Sequence, residues 1–167
     1  MTVTVVTTPG ATNSNSYASV ADLQSFAETR IHSASIASLT TDQLGGLLVS
    51  ATRVFEQVNP KGLKNFTNGA LRFPRSNLWD RDGQKVLDHL TVPVDLRDAV
   101  CEAALSNVDA DRSYDFDLIG YKSVKIDTLT FVAAKGDEPP TISNSAFRIA
   151  DYLFTEDSEI NARTLRV

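Results

Sequence analysis

The residues best suited to chemistry lie in one stretch, ALRFPRSNLWDRDGQKV, which spans residues 70–86. It contains three arginines, the only tryptophan of the chain, a Phe-Pro pair and an Asp-Arg-Asp-Gly run. Four kinds of site use such residues: an active site, a metal loop, a nucleic-acid surface, or a rigid loop that another protein recognises. The choice among these four decides the function.

A calcium site is the first of these possibilities. The run DRDG at 80–83 resembles the middle of a calcium-binding loop, but aligning Gly83 with the glycine of such a loop puts Leu78 and His89 at the first and last ligand positions. Neither residue supplies the carboxylate that calcium needs there. An Asx-type turn, with Gly83 at positive φ, fits the run better. No histidine lies at metal spacing with the carboxylates, so we predict neither a metal site nor a cofactor.

Catalytic arrangements are equally poorly supported. His32 and His89 lie in different segments, without a Ser or Cys in a nucleophile motif beside them. Cys101 lies in the middle of a predicted helix, where its pKa is not lowered by a helix N-terminus. The Gly45-Gly46 pair lacks the Lys-Ser/Thr of a phosphate-binding loop. The sequence therefore predicts that the protein is not an enzyme.

A nucleic-acid surface has a rival explanation in the same residues. Three arginines alternate with three aromatic residues, which is the composition of a clamp for single-stranded nucleic acid. These residues are Phe66, Arg72, Phe73, Arg75, Trp79 and Arg81. However, the chain carries a net charge of −5, whereas binding to phosphates depends on an excess of cations. We favour the interpretation in which the aromatic side chains fill the core.

The sequence thus predicts a rigid structural clamp in this loop. In it Phe73 and Trp79 are buried, and Arg75 or Arg81 pairs with a neighbouring aspartate or a helix carboxylate. The predicted clamp consists of Phe73, Pro74, Arg75, Trp79, Asp80, Arg81, Asp82 and Gly83.

Length and composition limit the scaffold that holds this loop. The 167 residues correspond to about one domain, and 42% hydrophobic residues suffice for one core. A single cysteine, Cys101, forms no internal disulfide, which favours a reducing compartment. Residues 1–16 contain no Lys or Arg and no long apolar run, so we expect neither a secretory signal nor a membrane span, and a cytosolic protein.

Helix signals occur at four places. Ser19 with Asp22, and Thr40 with Gln43, have the form of capping boxes that begin the first two helices. Gly45-Gly46 in the second helix implies either a later start or another backbone packed closely against it. Pro93 begins a third, alanine-rich helix that we expect to be central, and Ser143 or Asn144 begins a short last helix.

The remaining segments are a hairpin and two arms. Alternating apolar residues predict a β-hairpin near 122–134. Residues 2–8 alternate Thr and Val and predict a short strand before Pro9-Gly10, paired either within the domain or with a neighbouring subunit. The sequence therefore predicts a mainly α protein: an N-terminal arm at 1–16, a bundle of about four helices with the hairpin at 17–154, and a C-terminal arm at 155–167.

The C-terminal arm has little apolar surface, so its ordering requires a partner. Its apolar and basic residues are our predicted anchors for docking to that partner. They are Ile160, Arg163, Leu165, Arg166 and Val167.

Several short motifs, taken in order, resemble one known family. They are Asn15-Ser16-Tyr17, Ala51-Thr52-Arg53, Phe73-Pro74-Arg75, Asp80-Arg81-Asp82-Gly83, Val92-Pro93 and Val100-Cys101-Glu102-Ala103-Ala104. In this order they resemble the head-to-tail adaptor, or head-completion, proteins of tailed bacteriophages, which often carry the label DnaT-like single-stranded DNA-binding protein. The resemblance covers most of residues 13–155. The Asp-rich stretch at 109–117 and the C-terminal arm depart from the pattern.

The resemblance implies a structural adaptor of the virion neck, assembled in the host cytoplasm. Such a protein forms a homo-oligomeric ring, expected to be a dodecamer, between the portal protein and a downstream tail, stopper or nozzle protein. Genomic DNA passes through its lumen without sequence-specific binding, and no membrane is involved. An acidic lumen suits this role because it makes few phosphate contacts. The alternative function is single-stranded nucleic-acid binding, which would require an exposed stripe of Lys61, Lys64, Arg72, Arg75 and Arg81 around an exposed Trp79.

Overall fold

The computed structural model describes residues 3–30, 34–108, 123–126, 129–132 and 144–155. Within these residues the chain is mainly α with a small β-hairpin, as predicted. The helices are α1 (Val20–Glu28), α2 (Ala34–Ala37), α3 (Thr41–Phe55), α4 (Val94–Ser106) and α5 (Asn144–Ala150), followed by a 3-10 turn, Asp151–Leu153. The strands are β1 (Leu63–Lys64), β2 (Arg75–Ser76), β3 (Ser123–Ile126) and β4 (Leu129–Val132). None of the described helices is long and apolar enough to cross a membrane.

Local hydrogen bonds fix the starts of α1 and α3. The Ser19 hydroxyl accepts from the Asp22 N–H at 3.1 Å, and the Asp22 carboxylate accepts from the Ser19 N–H at 2.8 Å. Thr40 and Gln43 form the same reciprocal pair at the start of α3. Both predicted capping boxes are confirmed.

Helix α4 is central, as its alanine-rich sequence predicts. It contacts α1, α3 and α5, and Pro93 precedes its first turn. The side chains that it buries are Leu96, Ala99, Val100, Cys101, Ala103 and Ala104. Small side chains on this face allow three neighbouring helices to approach one helix.

The predicted hairpin is also present. Strands β3 and β4 are antiparallel, with Ser123 opposite Val132 and Ile126 opposite Leu129. Both strands lie within the predicted range, 122–134. A second, two-residue ladder pairs β1 with β2.

The N-terminal segment lies against α3 without forming the predicted strand. The Asn15 side chain accepts from the Val6 N–H and donates to the Thr4 carbonyl, both at 2.8 Å, so it occupies the groups that a strand partner would use. A Cβ atom placed on Gly45 would lie 3.0 Å from Val5 Cγ2 and 3.4 Å from the Val3 carbonyl oxygen. Close packing of another backbone therefore explains Gly45, which was one of the two predicted alternatives.

Candidate functional site

The inner part of the 70–86 loop is fastened to the helical core by Tyr17. This residue is 2% exposed, and its hydroxyl donates to a carboxylate oxygen of Glu56. The same hydroxyl accepts from the Phe73 N–H at 3.2 Å, and Glu56 also accepts from the Arg72 N–H at 3.1 Å. Burial, together with the Glu56 charge and hydrogen bond, raises the pKa of Tyr17 well above its ordinary value.

Two of the short motifs meet beside this network. The Tyr17 N–H donates to the Thr52 hydroxyl at 3.3 Å, and the Thr52 hydroxyl lies 3.5 Å from that of Ser16. Ser16 and Thr52 are completely buried. A buried hydroxyl is costly unless it is hydrogen-bonded, so these contacts join the turn before α1 to the middle of α3.

Phe73 fills the core, as predicted. Its side chain is 4% exposed and makes edge contacts with the rings of Tyr17 at 5.8 Å and Phe154 at 5.9 Å. The Phe73–Pro74 peptide bond is cis, and Pro74 is buried. The inner part of the loop is thus part of the core.

Arg72 and Arg75 bind backbone carbonyls and not carboxylates. Arg75 donates from Nε to the Lys61 carbonyl at 2.6 Å and from Nη2 to the Gly62 carbonyl at 2.7 Å. Arg72 donates from Nη1 to the Val58 carbonyl at 3.1 Å. Burial and the nearby Arg72 charge lower the pKa of Arg75. Of the two arginines for which a carboxylate partner was predicted as alternatives, Arg75 thus has carbonyl partners instead, and both Arg72 and Arg75 have part of their N–H donors engaged with the backbone.

The outer part of the loop forms a small hairpin, residues 78–87, which we call the Trp79 hairpin. The Leu87 N–H donates to the Leu78 carbonyl and the Asp80 N–H to the Lys85 carbonyl, both at 2.8 Å. The Asp80 carboxylate accepts from the Gln84 N–H at 2.7 Å, and Gly83 has a φ of 68°. The predicted Asx-type turn is confirmed.

The predicted burial of Trp79 is wrong. Its side chain is 53% exposed, whereas that of Leu78 is 3% exposed. Trp79 lies opposite Val86 in the hairpin, so both side chains are on the same face. Successive residues of a strand point to opposite faces, and the hairpin turns Leu78 towards the core and Trp79 towards solvent.

Among the residues whose side-chain burial the structure describes, the exposed large apolar ones all belong to residues 60–94. They are Leu63, Trp79, Val86, Leu90 and Val94. We call this group the apolar surface. Six basic and three acidic residues give residues 60–94 a net charge of +3. Because the whole chain carries −5, all other residues together carry −8.

Arg81 joins the hairpin turn to the C-terminal end of α5. Its guanidinium lies 3.7 Å from the Asp151 carboxylate, so a carboxylate partner was correctly predicted for this arginine. It also donates to two backbone carbonyls of α5. Asp82 is exposed and lies in the turn. The proposed docking anchors of the C-terminal arm, residues 160–167, and the Asp-rich stretch at 109–117 lie outside the described residues.

Groups suited to catalysis are not gathered at one place. Cys101 is buried, and burial with the charges of Asp22 and Asp98 raises its pKa to about 12, which keeps the thiol protonated. Among the described residues, no three His, Cys, Asp or Glu side chains form a group that could hold a metal ion. His89 is exposed beside the Trp79 hairpin, where its carbonyl accepts from the Asn65 side chain at 3.0 Å.

Two features of this site could not be predicted from the sequence. Glu56 holds Tyr17 and the Arg72 N–H together, but on the sequence it is one more acidic residue near a helix end. The four aliphatic residues of the apolar surface are of types that usually lie in a core, so the sequence does not predict their exposure. Only the spacing of Leu78, Trp79 and the turn at 80–83 carried a signal, since it places neighbouring side chains on opposite faces of a hairpin.

Comparisons with known proteins give one result. A family model described as "Putative DnaT-like ssDNA binding protein" matches residues 1–167. No curated protein and no solved structure matches the chain significantly.

Proposed function

We propose that this chain, which belongs to the DnaT-like family just described, is a structural adaptor that assembles with copies of itself. In this proposal it forms a homo-oligomeric ring in the neck of a tailed phage, between the portal and a downstream tail protein, and the ring extends the DNA channel. The motif resemblance supports the phage setting. The apolar surface is the observation that supports docking to another protein.

The apolar surface has the chemistry of a protein interface. Its five side chains are each more than half exposed, while the large apolar side chains of the helices are mostly buried. Exposed apolar residues mark docking surfaces where they adjoin, as Trp79 and Val86 do across the hairpin, and tryptophan is among the residues that contribute most to binding there. Four of the five are aliphatic and offer no ring on which a base stacks. A protein partner therefore uses more of this surface than a nucleic acid does.

Charge favours a second copy of the chain as the occupant. Residues 60–94 carry +3 and the rest of the chain −8, so one subunit's apolar surface is attracted to the acidic remainder of another. A contact between two different faces of identical subunits is heterologous, and it closes into a ring when the rotation between subunits allows. The resulting acidic lumen would let DNA slide with few phosphate contacts.

The test is the oligomeric state of two aspartate variants. Trp79→Asp places a charge beside Val86 in the apolar surface, and Ser50→Asp places the same charge on an exposed position of α3. We expect Trp79→Asp to abolish self-association in sedimentation and native mass spectrometry, and Ser50→Asp to keep it. Electron microscopy of the wild-type protein with a portal should show rings.

Two results would reject the adaptor. One is a wild-type protein that remains monomeric in the presence of the portal. The other is a Trp79→Asp variant that assembles as well as the Ser50→Asp control.

Single-stranded DNA binding is the second candidate function. The family description names this activity, and exposed Trp79 with exposed Lys85 in the same hairpin is the observation that supports it. An exposed indole stacks on any base, and a neighbouring ammonium contacts the phosphates. The opposing observation is that Arg72 and Arg75 are engaged with carbonyls.

Oligothymidylate titrations separate the two functions. Stacking on Trp79 would quench the fluorescence of the only tryptophan, and phosphate contacts would make the affinity fall steeply with salt. Both effects together, with weaker binding of Trp79→Ala in a gel shift and of Lys85→Ala in both assays, would put nucleic-acid binding first. An adaptor predicts weak binding without quenching.

A further inference from the structure

We infer that Arg81 is the positioning residue of the apolar surface: it holds the Trp79 hairpin against the end of α5, so that Trp79 and Val86 face the partner. The inference rests on the proposed docking function. It concerns a residue that lies beside the surface and need not touch the partner.

The anchor is a pair of hydrogen bonds to helix carbonyls. Arg81 Nη2 donates to the carbonyl oxygens of Arg148 at 2.9 Å and Ile149 at 2.6 Å. Both belong to the last turn of α5, where carbonyls have no N–H partner within the helix. The guanidinium therefore caps α5 from the hairpin, 67 and 68 positions away in sequence.

A second contact extends the anchor to α4. The Arg81 guanidinium lies over the Tyr152 ring, 5.2 Å from its centre. The Tyr152 hydroxyl donates to the Asp95 carboxylate at 3.0 Å, in the first turn of α4. One side chain of the hairpin turn is thus tied to the end of one helix and, through Tyr152, to the start of another.

The hairpin needs such an anchor. Its base is held by buried Leu78, but the turn at 80–83 extends away from the core and is exposed apart from Asp80. A two-stranded hairpin is marginally stable by itself. A turn that moves would carry Trp79 and Val86 with it, and a mobile surface loses affinity because docking must then order it.

We expect the hydrogen bonds from Arg81 to the carbonyls of α5, and not its ion pair with Asp151, to hold the hairpin in place. Arg81 and Asp151 are 3.7 Å apart and about half exposed, with side-chain exposures of 51% and 47%. Ion pairs of this kind contribute little. Lys85, the other cation of the hairpin, is exposed, and its side chain makes no hydrogen bond or ion pair with the described residues, so it is the matched control for the anisotropy.

The test uses Trp79 as its own reporter, because it is the only tryptophan. Arg81→Ala should lower the fluorescence anisotropy of Trp79 at a concentration where the protein is monomeric. The same variant should weaken self-association by about tenfold, the cost of ordering one or two side chains on docking. Asp151→Asn should change neither quantity, Lys85→Ala should leave the anisotropy unchanged, and all three should retain the wild-type circular dichroism.

The outcomes distinguish the positioning role of Arg81 from the docking function of the apolar surface. Unchanged anisotropy in Arg81→Ala would overturn the positioning role, whatever the oligomeric state. Reduced anisotropy together with full assembly of Trp79→Asp would support the positioning role and reject the docking function. If Arg81→Ala does not fold, Arg81→Lys decides: it keeps the charge without the planar fork, and wild-type anisotropy in that variant would overturn the inference.

Discussion

Phe73 and Trp79 are six residues apart in one loop, yet one belongs to the core and the other to the surface. Phe73 is 4% exposed between Tyr17 and Phe154, whereas Trp79 is 53% exposed opposite Val86. The inner part of the loop is fixed by buried hydrogen bonds, and the outer part by one arginine at its turn. The comparison teaches that the loop has two tasks, holding the core and presenting a surface.

Separate replacement of Phe73 and Trp79 by alanine should distinguish most clearly the part of the loop that holds the core from the part that presents a surface. Phe73→Ala should lower the free energy of unfolding by about 3 to 5 kcal/mol, because it leaves a cavity among aromatic side chains. Trp79→Ala should change it by no more than about 0.5 kcal/mol, since half of the ring already contacts water. Chemical denaturation of both variants measures the difference. Equal losses would mean that the loop is one structural unit.

The Tyr17 hydroxyl provides the next largest effect. Tyr17→Phe leaves the Phe73 N–H without its partner and removes one of the two donors to a Glu56 carboxylate oxygen, which should cost about 1 to 3 kcal/mol. Tyr152→Phe is the matched control, because its hydroxyl binds Asp95 at a half-buried position and should cost less. A cost for Tyr152→Phe as large as that for Tyr17→Phe would contradict the contrast between inner and outer contacts.

Alkaline pH should lower the free energy of unfolding through the buried ionisable groups. Burial raises the pKa of Cys101 from 9.0 to about 12, so the folded state keeps its proton longer than the unfolded state. The contribution of Cys101 to stability is then constant below pH 9 and is lost between pH 9 and 12, by up to ~1.4 kcal/mol per pH unit. Tyr17, with its raised pKa, adds to the fall above pH 10.

Denaturation curves of Cys101→Ala and wild type at several pH values measure this term. The variant should show a shallower fall between pH 9 and 10, before Tyr17 contributes. An identical slope in both proteins would assign the alkaline loss to another group.

Two adjacent glycines of α3 also differ in their surroundings: Gly45 lies against the N-terminal segment, and Gly46 faces open space. Gly46 has open space where a Cβ would lie, so Gly46→Ala should stabilise α3 by about 0.5 to 1 kcal/mol. In Gly45→Ala the new methyl group meets Val5, and the crowding should cancel the gain or reverse it. Thermal unfolding of the pair checks the sign. A stabilised Gly45→Ala would show that the N-terminal segment moves aside freely.

Local signals made much of the helical scaffold predictable. The capping boxes at Ser19 and Thr40 operate within four residues, so their sequence contains the whole interaction. The β3–β4 hairpin follows from alternating apolar residues, but its register was not predictable, because Asp-Thr is not a strong two-residue turn. Helix α2 was missed because four residues are too few for a helical period. The Val and Thr alternation at 2–8 predicted a strand, but the Asn15 side chain takes the place of the strand partner in residues 3–8.

The candidate site was less predictable because burial depends on distant parts of the chain. Phe73 and Trp79 have the same residue class and the same neighbourhood of arginines and aspartates. What separates them is Tyr17 and Phe154 around one ring and the face of a hairpin for the other. The carbonyl partners of Arg75 are equally invisible in the sequence, since any backbone offers carbonyls.

The backbone pairing of residues 59–61 with residues 153–155 joins two segments that the ribosome makes at different times. The Lys61 N–H donates to the Leu153 carbonyl at 2.8 Å, the Thr155 N–H donates to the Asn59 carbonyl at 2.9 Å, and Pro60 lies opposite Phe154. The ribosome therefore makes the whole loop, with its exposed tryptophan, long before the segment that completes its base. A nascent chain of this length shows apolar side chains without a finished core, which is the state that chaperones bind.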